Sequence, residues 1–358
     1  MLKTDCLIIG GGAVGLMTAV ELRRRGLSVT ILDRNEPGRE ASWAGGGILS
    51  PLLPWDYPDT VNVLALAGME RYPSLAEELR AETGIDPELR PSGMLVLPSF
   101  DYPLAEAWCG RFAFAMEKCR SQDRLPELTQ DMEGLWLPQV NQVRNPRLLH
   151  ALRRWLEQQG VDIVAAAPVE RLEAKHGRVD AVVTHRGSFA AANVIVTAGA
   201  WSRELLVEQA LGLSIWPVRG QMLLFKASQP RFSPVLIKNG IYFVPRNDGH
   251  ILVGSTLEET GFDKSTTQEA RDHLYREAVA LLPFLAATPL VQHWAGLRPG
   301  SPGNIPTIDR HPRIANLYLN SGHFRYGVTM APASARLLAD LLLGTPPSLD
   351  PTPYRWPN

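Results

Sequence analysis

The sequence predicts a mixed α/β fold in which a parallel sheet is interrupted by an antiparallel one. Short apolar runs typical of buried parallel strands occur near the start, in the middle and near the end of the chain. Between them, residues 215–255 form alternating runs separated by Pro, Asn and Gly, as in antiparallel strands. The chain has 358 residues, which is long for a single core. We therefore expect two structural parts.

The N-terminal region predicts a βαβ unit with a nucleotide-binding turn. Gly10, Gly12 and Gly15 have the spacing G-x-G-x-x-G, which lets the backbone approach a pyrophosphate at a helix N-terminus. Asp33 follows the second strand, where a carboxylate can accept hydrogen bonds from a ribose. The glycine spacing alone also fits a tight turn in another α/β fold, but the complete unit favours dinucleotide binding. Its predicted elements are a strand at 6–9, a helix at 16–25 ended by Gly26, and a strand at 27–32.

The later elements follow from apolar periodicity, proline starts and glycine ends. Predicted helices cover residues 61–83, 104–120, 146–160, 266–282 and 328–343, three of them ended by Gly84, Gly160 and Gly344. Predicted strands cover residues 91–100, 161–164, 178–184, 193–197, 222–225, 235–237, 241–244, 250–253 and 317–320. The proline-rich tail from residue 345 is expected to lie extended along the surface.

Two further glycine-containing turns favour a flat ligand. Residues 42–51 carry three successive glycines together with Trp43 and Ile48, whereas loops that serve flexibility rarely contain such large apolar residues. A flexible loop is the alternative. Gly199 lies in the turn 198–202, directly after a predicted strand, where turns line nucleotide clefts.

Composition describes an ordinary globular protein and excludes several classes. Hydrophobic residues make up 45% and charged residues 20% of the chain. The net charge of −1 argues against a nucleic-acid partner. Cys6, Cys109 and Cys119 have neither a disulfide framework nor a metal-ligand spacing, so no metal is expected. Residues 6–20 superficially resemble a signal peptide, but they contain the glycine motif, and no run is long enough to span a membrane. We expect a cytoplasmic protein without stable membrane association.

Four segments together resemble the D-amino-acid oxidase family of flavoenzymes, and within it the bacterial glycine oxidases of the thiamine-pathway type. These segments are the N-terminal motif, residues 42–51, Gly-Leu-Arg-Pro at 296–299 and Gly-His-Phe-Arg-Tyr-Gly at 322–327. The similarity covers essentially the whole chain, in the family's order. It implies FAD held without a covalent bond. Beside the motif glycines and Gly199, the cofactor positions that it implies are Ala13, Val14, Asp33, Arg34, Ala41, Ser42, Gly46, Gly47, Ile48 and Val169, the last through its backbone at the adenine.

The resemblance places the pyrimidine edge of the flavin at the C-terminal turn. Free N–H groups at the start of the last predicted helix, with the positive helix end, would stabilise charge that develops on the ring during reduction. We expect His323 to contribute its backbone rather than a titrating side chain. The implied cofactor positions here are His323, Phe324, Arg325, Tyr326, Gly327, Val328 and Thr329.

Four residues are candidates for substrate binding. Arg298 precedes Pro-Gly, so we expect its side chain to project from a constrained turn, where a guanidinium can bind a carboxylate through two hydrogen bonds. Without the resemblance, a surface arginine would be the preferred interpretation. The resemblance also implies Tyr242 at the carboxylate, Arg325 as a second substrate-side arginine, and Leu257 as an apolar residue over the substrate. A core tyrosine and simple packing are the alternatives for Tyr242 and Leu257.

No general base, nucleophile or paired carboxylates stand out, and the eight histidines are scattered. The family's chemistry needs no protein base, since a neutral amino acid can pass a hydride directly to the flavin. The resemblance implies FAD-dependent oxidative deamination of glycine and other small amino acids, such as sarcosine and D-amino acids. The products would be a 2-oxo acid (glyoxylate from glycine), ammonia or an amine, and H2O2 from O2.

Three alternatives remain at this stage. A flavin-dependent D-amino-acid dehydrogenase would pass electrons to a quinone or carrier instead of O2. A nicotinamide dehydrogenase fits the first 35 residues but leaves the two later glycine turns unexplained. A non-catalytic module could use the same fold only to hold nucleotide.

The order of the predicted segments suggests a discontinuous FAD-binding domain at 1–80, 140–214 and 300–344, a substrate-binding domain at 81–139 and 215–299, and a tail at 345–358. The resemblance further implies a homo-oligomer, and a role in supplying iminoacetate for the thiazole of thiamine.

Overall fold

A computed structural model describes residues 3–357. Met1 and Leu2, which begin the first predicted domain segment, and Asn358, which ends the predicted tail, lie outside the described residues. The helices are α1 (Ala13–Arg24), α2 (Ala41–Ala44), α3 (Asp59–Met69), α4 (Tyr72–Thr83), α5 (Tyr102–Arg111), α6 (Ser121–Arg124), α7 (Asn145–Gln158), α8 (Ser202–Leu206), α9 (Gln268–Leu281) and α10 (Gly327–Leu343).

The strands form two large sheets and one small pair. They are β1 (Lys3–Ile9), β2 (Val29–Leu32), β3 (Ile48–Leu49), β4 (Met94–Val96), β5 (Glu117–Arg120), β6 (Glu133–Leu137), β7 (Asn141–Gln142), β8 (Asp162–Val164), β9 (Val169–Lys175), β10 (Arg178–Thr184), β11 (Gly187–Val196), β12 (Trp216–Lys226), β13 (Val235–Lys238), β14 (Ile241–Pro245), β15 (His250–Gly254), β16 (Leu290–Gly300), β17 (Thr307–Arg310) and β18 (Leu317–Ser321).

The first sheet has a parallel centre. Its order is β17-β18-β11-β1-β2-β8, with β10 and β9 continuing from β11, and the five strands from β18 to β8 are parallel. Ile8 of β1 pairs with Ile195 and Ile31 on its two neighbours, and all three side chains are fully buried. The carboxyl ends of β1, β2 and β11 therefore meet at one edge, where Gly10, Asp33 and Thr197 follow them.

The second sheet is antiparallel apart from one strand pair. Its order is β16-β12-β15-β14-β13-β4-β6-β5, and only β13 and β4 pair in parallel. Side chains alternate between its two faces, so that Leu223 and Phe243 pack in a core with α9, while Met222 and Tyr242 lie on the opposite face. This opposite face is turned towards the carboxyl edge of the first sheet.

These sheets confirm the predicted fold class, a Rossmann-like parallel part interleaved with an antiparallel part. Strands of the first sheet come from residues 3–32, 162–196 and 307–321, and strands of the second from 94–137 and 216–300. We propose that the domain bounds given above divide the two parts. No helix within residues 3–357 is both long and apolar enough to cross a membrane.

Several predicted elements differ from the structure. The helix expected at 61–83 is two helices, because Pro73 in the first turn of α4 cannot donate a backbone hydrogen bond to the Met69 carbonyl. The helix expected at 104–120 ends at Arg111, and its last four residues instead form β5, paired with β6. The tail is not simply extended on the surface, since Tyr354 and Trp356 are buried and hydrogen-bonded to Thr60 and Ala210.

Candidate active site

A cavity of about 430 Å³ lies between the carboxyl edge of the first sheet and the facing side of the second, within the size range of small-molecule and cofactor sites. Every predicted cofactor position lines it except Gly15. Of the predicted substrate residues, Tyr242, Arg298 and Arg325 line it. Leu257 does not, because it lies in a loop with its side chain 60% exposed.

The glycine turn brings the start of α1 to the cavity. Gly10 has φ +111°, and a Cβ there would lie 2.6 Å from the Thr197 carbonyl oxygen. A Cβ on Gly15 would overlap the Gly10 carbonyl oxygen, so this glycine allows close packing rather than ligand contact. The α1 N-cap, Gly12, provides no side-chain cap, and the first N–H groups of the helix therefore remain free for an anion. The exception is the Ala13 N–H, which donates to Ser42 Oγ at 2.9 Å.

Asp33 is already part of this turn. Its two carboxylate oxygens accept from Gly11 N–H at 2.7 Å and from Asn35 N–H at 2.9 Å. Burial raises the pKa of Asp33, and these hydrogen bonds partly offset the shift. Each oxygen retains a lone pair that a ribose hydroxyl can use.

Arg34 and Trp201 form the wall next to Asp33. The Arg34 guanidinium lies 3.4 Å from the centre of the Trp201 ring and donates to Glu40 at 2.7 Å. Trp201 belongs to the short helical turn Gly199–Trp201 that follows β11. The cation–π contact and the ion pair fix both side chains at the cavity wall.

The second glycine loop is held by buried polar side chains. Asn145 Nδ2 donates to the carbonyls of Ser42 and Gly45, at 2.7 and 3.0 Å. Arg246, 3% exposed, donates to the Gly46 carbonyl at 2.8 Å, and burial lowers its pKa to about 9. A Cβ on Gly46 would lie 2.9 Å from the Tyr242 ring, so a larger residue there would displace this ring. These contacts hold the backbone of the loop against the cavity.

The C-terminal turn presents the start of α10. Pro332 removes the N–H that would bond the Val328 carbonyl, and the buried Tyr72 hydroxyl donates to this oxygen instead, at 2.6 Å. Thr329 Oγ1 donates to the Ile48 carbonyl at 3.0 Å, which fixes α10 against the glycine loop. The helix N-terminus therefore keeps its place beside the cavity.

His323 in this turn is fully buried and neutral. Ser334 Oγ donates its one hydrogen to Asn320 Oδ1 at 2.5 Å, so the 2.8 Å contact to Ser334 requires His323 Nε2 to be the donor. Desolvation lowers the pKa of His323 to about 3. Its side chain is a structural donor over the physiological pH range.

Arg298 corrects one expectation, since it lies in β16 and not in a turn. β16 is an edge strand of its sheet, where Pro299 costs no ladder hydrogen bond, and its pairing with β12 continues through Pro299 to Gly300. The guanidinium donates to Ser255 Oγ at 2.6 Å and to the Thr256 carbonyl at 3.2 Å. Burial, and to a lesser extent the nearby Arg325 charge, lower the pKa of Arg298.

The end of the cavity that Tyr242, Arg298 and Arg325 line is positively charged. Within residues 3–357, neither Arg298 nor Arg325 has a carboxylate within ion-pair distance. The Tyr242 hydroxyl has only a weak acceptor, Met222 Sδ at 3.4 Å. Arg325 and Tyr242 can therefore donate to an anion, and Arg298 has N–H groups left beyond those that bond Ser255 and Thr256. The acidic side chains that line the cavity lie at its other end: Asp33, Glu40, Glu170 and Glu204.

Residues 5–341 match the family model named DAO, FAD dependent oxidoreductase. The chain belongs to this family. It is 43% identical to the glycine oxidase of Pseudomonas aeruginosa over 97% of both chains. It is 35% identical to the Synechocystis bifunctional protein ThiO/ThiG, over 95% of this chain and 52% of that protein. The crystal structure of glycine oxidase from Geobacillus kaustophilus superimposes with a TM-score of 0.94 at 27% identity, covering 100% of this chain and 99% of that one.

Family membership confirms the predicted cofactor, FAD, and the predicted enzyme class, an FAD-dependent amino-acid oxidase of the DAO family. The alternative of a nicotinamide dehydrogenase is therefore wrong, because the family is FAD-dependent. The cavity fits a dinucleotide, because it combines the free N-terminus of α1, the Asp33 carboxylate and two backbone stretches that only glycine allows. Within residues 3–357, no cluster of His, Cys, Asp or Glu is suited to a metal.

Sequence reasoning missed several residues at the cavity of this DAO-family enzyme. Asn145 and Gly220 line the cavity, and Ser255 holds Arg298, whereas Trp201 lies in the turn 198–202 that the sequence predicted at the cleft. Gly220 lies within β12, and a glycine inside a strand often indicates a close approach, so this signal was available. No sequence signal marked Asn145 or Ser255, because their hydrogen-bond partners are more than 40 residues away in the chain.

Proposed function

We propose that this enzyme oxidises glycine and other small amino acids, including sarcosine and small D-amino acids. The products would be a 2-oxo acid, ammonia or an amine, and H2O2. One observation carries the proposal: the cavity that fits FAD has two arginines without carboxylate partners at its other end. A small amino acid supplies the missing carboxylate. The glycine oxidase of Pseudomonas aeruginosa, 43% identical, supports this substrate class.

Arg298 is proposed as the carboxylate anchor. Its planar fork can present two parallel N–H groups to a carboxylate, and its contacts to Ser255 and Thr256 limit its freedom before substrate arrives. Tyr242 would add a third donor, because its hydroxyl gives up only the weak Met222 contact. Arg325 would supply a second positive charge on the same side.

The remaining task of the chain is orientation. FAD, held by the residues that line the cavity, would supply the hydride acceptor for the α-carbon of the amino acid and the route by which electrons reach O2. Within residues 3–357, His323 is the one histidine that lines the cavity, and because it is buried and hydrogen-bonded to Ser334 it would not act as the base. A substrate held by its carboxylate at Arg298 and confined by Met222 and Tyr242 would have its α-carbon fixed, which lowers the barrier through proximity.

The test is O2 consumption with peroxide detection by the FAD-loaded enzyme. Wild-type enzyme should turn over glycine, sarcosine and D-alanine but not methylamine, which has no carboxylate. Arg298→Ala should lower kcat/KM for glycine about 30-fold or more, because a charged contact of about 2–5 kcal/mol is lost. The exposed Arg276 on α9 gives the matched control, and Arg276→Ala should leave kcat/KM unchanged.

Two results would contradict parts of this proposal. Turnover only with an artificial electron acceptor would identify a dehydrogenase in place of an oxidase. An Arg298→Ala enzyme as active as wild type would show that carboxylate binding lies elsewhere, or that the protein only holds its cofactor.

We also propose non-covalent FAD, a cytoplasmic location and a homo-oligomer, as the resemblance implies. The Synechocystis relative named ThiO/ThiG supports a thiamine-pathway role, in which the imine from glycine would serve thiazole formation. Release of the yellow cofactor on acid precipitation tests the first point, and light scattering tests the oligomer.

A further inference from the structure

The loop at residues 255–267 connects β15 to α9 and begins at the acceptors of Arg298. Ser255 Oγ and the Thr256 carbonyl accept from the two terminal nitrogens of Arg298. A long arginine side chain loses considerable rotamer freedom when it is fixed. The position of Arg298 in the cavity therefore depends on what holds Ser255 and Thr256.

Arg219, in the strand next to Arg298, holds this loop. Its side chain is buried and donates to the Glu258 carboxylate at 2.5 Å, to Asp263 at 2.7 Å and to the Ser265 carbonyl at 3.1 Å. Side chains alternate along β12, so its neighbour Gly220 faces Arg298 instead. One strand thus makes room for Arg298 on one face and fixes the loop from the other.

Glu258 links this anchor to Thr256. Its second oxygen accepts from Gln221 Nε2 at 2.9 Å and from the Thr256 hydroxyl. The backbones of Glu258 and Arg219 exchange two hydrogen bonds, of 2.8 and 3.0 Å. The Arg219 carbonyl also receives a long contact, 3.4 Å, from Arg298. A continuous set of hydrogen bonds therefore runs from Glu258 to the Arg298 guanidinium.

We propose that Glu258, together with Arg219, is a positioning residue for the substrate carboxylate. It fixes Ser255 and Thr256, and these two residues fix Arg298. The carboxylates of Glu258 and Asp263 also neutralise Arg219, so the positive charge that faces the substrate comes from Arg298 and Arg325. The inference rests on the proposed role of Arg298, and nothing in it places Glu258 in contact with substrate.

The experiment compares Glu258→Ala, Glu258→Gln and Glu259→Gln in the FAD-loaded enzyme. Glu259 is the exposed neighbour, without a hydrogen bond or ion pair in the described structure, and is the matched control. Carboxylate binding acts in the ground state and the transition state alike, so its loss raises KM more than it lowers kcat. For Glu258→Ala we expect the glycine KM, and the Kd of acetate from its effect on the flavin spectrum, to rise about tenfold, with kcat within about twofold.

Glu258→Gln keeps an acceptor for Thr256 and should recover part of this loss. Glu259→Gln should match wild type. If Glu258→Ala fails to fold, Glu258→Gln still decides the question, because the weaker Glu258–Arg219 contact should loosen the loop that holds Arg298 and raise the acetate Kd about threefold. Acetate binding equal to wild type in both Glu258 variants would overturn the proposal.

A double-mutant cycle separates positioning from general structural damage. In an Arg298→Ala background, Glu258→Ala should cause no further change in acetate Kd, because it acts only through Arg298. A full additional loss in that background would overturn the proposal. If Arg298→Ala alone leaves acetate binding intact, the proposed function fails first, so the two failures can be told apart.

Discussion

The two ends of the cavity are built in different ways. The nucleotide end consists mainly of backbone: the glycine turn after β1, the free start of α1 and the loop after α2. The proposed substrate end consists of residues from separate strands: the side chains of Tyr242 on β14 and Arg298 on β16, and Gly220 on β12, which leaves room for Arg298. The first end depends on local chain geometry, and the second depends on how distant strands pair.

The charged residues of the two ends differ in how far along the chain their hydrogen-bond partners lie. Asp33 at the nucleotide end has its hydrogen bonds supplied by Gly11 and Asn35, both within 22 residues of it. Arg298 is held by Ser255 and Thr256, which lie 43 and 42 residues away. A disruptive substitution at the first end should therefore weaken FAD binding, whereas one at the second end should weaken substrate binding.

Gly15→Ala should have the largest effect. A Cβ at this position would overlap the Gly10 carbonyl oxygen, and neither the helix nor the strand end can easily move away. Overpacking usually costs about 1–3 kcal/mol, and more where only backbone can yield. We expect FAD affinity to fall about 100-fold or more, measured by flavin fluorescence during titration of the apoprotein.

The control is Gly110→Ala, in α5, where an added Cβ meets no atom within 4 Å. It should keep its FAD and gain slight stability, because alanine favours a helix. If Gly15→Ala bound FAD as tightly as this control, the close packing at the glycine turn would be unimportant for the cofactor.

Gly220→Ala should affect only the proposed substrate end of the cavity. Its Cβ would overlap the guanidinium nitrogens of Arg298, which must leave the cavity position. We expect a yellow, FAD-loaded protein whose kcat/KM for glycine falls about 30-fold, as in Arg298→Ala, since the same charged contact is lost. Steady-state O2 consumption and the flavin spectrum measure both properties on one sample.

Loss of flavin from Gly220→Ala, or retention of flavin with full activity, would each contradict this division. The first would show that the two ends do not fail independently. The second would show that Arg298 does not need the space that Gly220 leaves.

The same contrast explains what could be predicted from the sequence. Gly10, Gly12 and Asp33 lie within one βαβ unit, where a local pattern and its chemistry go together, and the structure places all three in or beside the cavity. The fold class could also be predicted, because local apolar runs indicate buried strands. Tyr242 and Arg298 were found through the family resemblance, not through any local pattern.

Other features depended on contacts that a sequence pattern does not contain. Strand β16 was missed because Gly296, Pro299 and Gly300 are typical of turns, and only its long pairing with β12 makes it a strand. Strand β5 follows a helix and has mostly exposed side chains, so its pairing with β6 outweighed the helical pattern. The link from Glu258 to Arg219 spans 39 residues and exists only in the folded chain.

A substitution of His323 has the smallest expected effect. It tests whether this histidine of the C-terminal turn is neutral and contributes only to stability. Burial holds its pKa at about 3, against 6.5 for an unperturbed histidine. Between these values the unfolded chain binds more protons than the folded one, so stability is lost as the pH falls from 6.5 towards 3. The contribution is about 1.4 kcal/mol per pH unit within that window.

His323→Gln should reduce the slope of unfolding free energy against pH by about this amount, measured by urea unfolding at pH 4.5, 5.5 and 6.5. The exposed His185→Gln is the control and should leave the slope as in wild type. An unchanged slope in His323→Gln would mean that His323 is protonated in the folded enzyme, and the turn before α10 would then carry a positive charge beside the proposed flavin site.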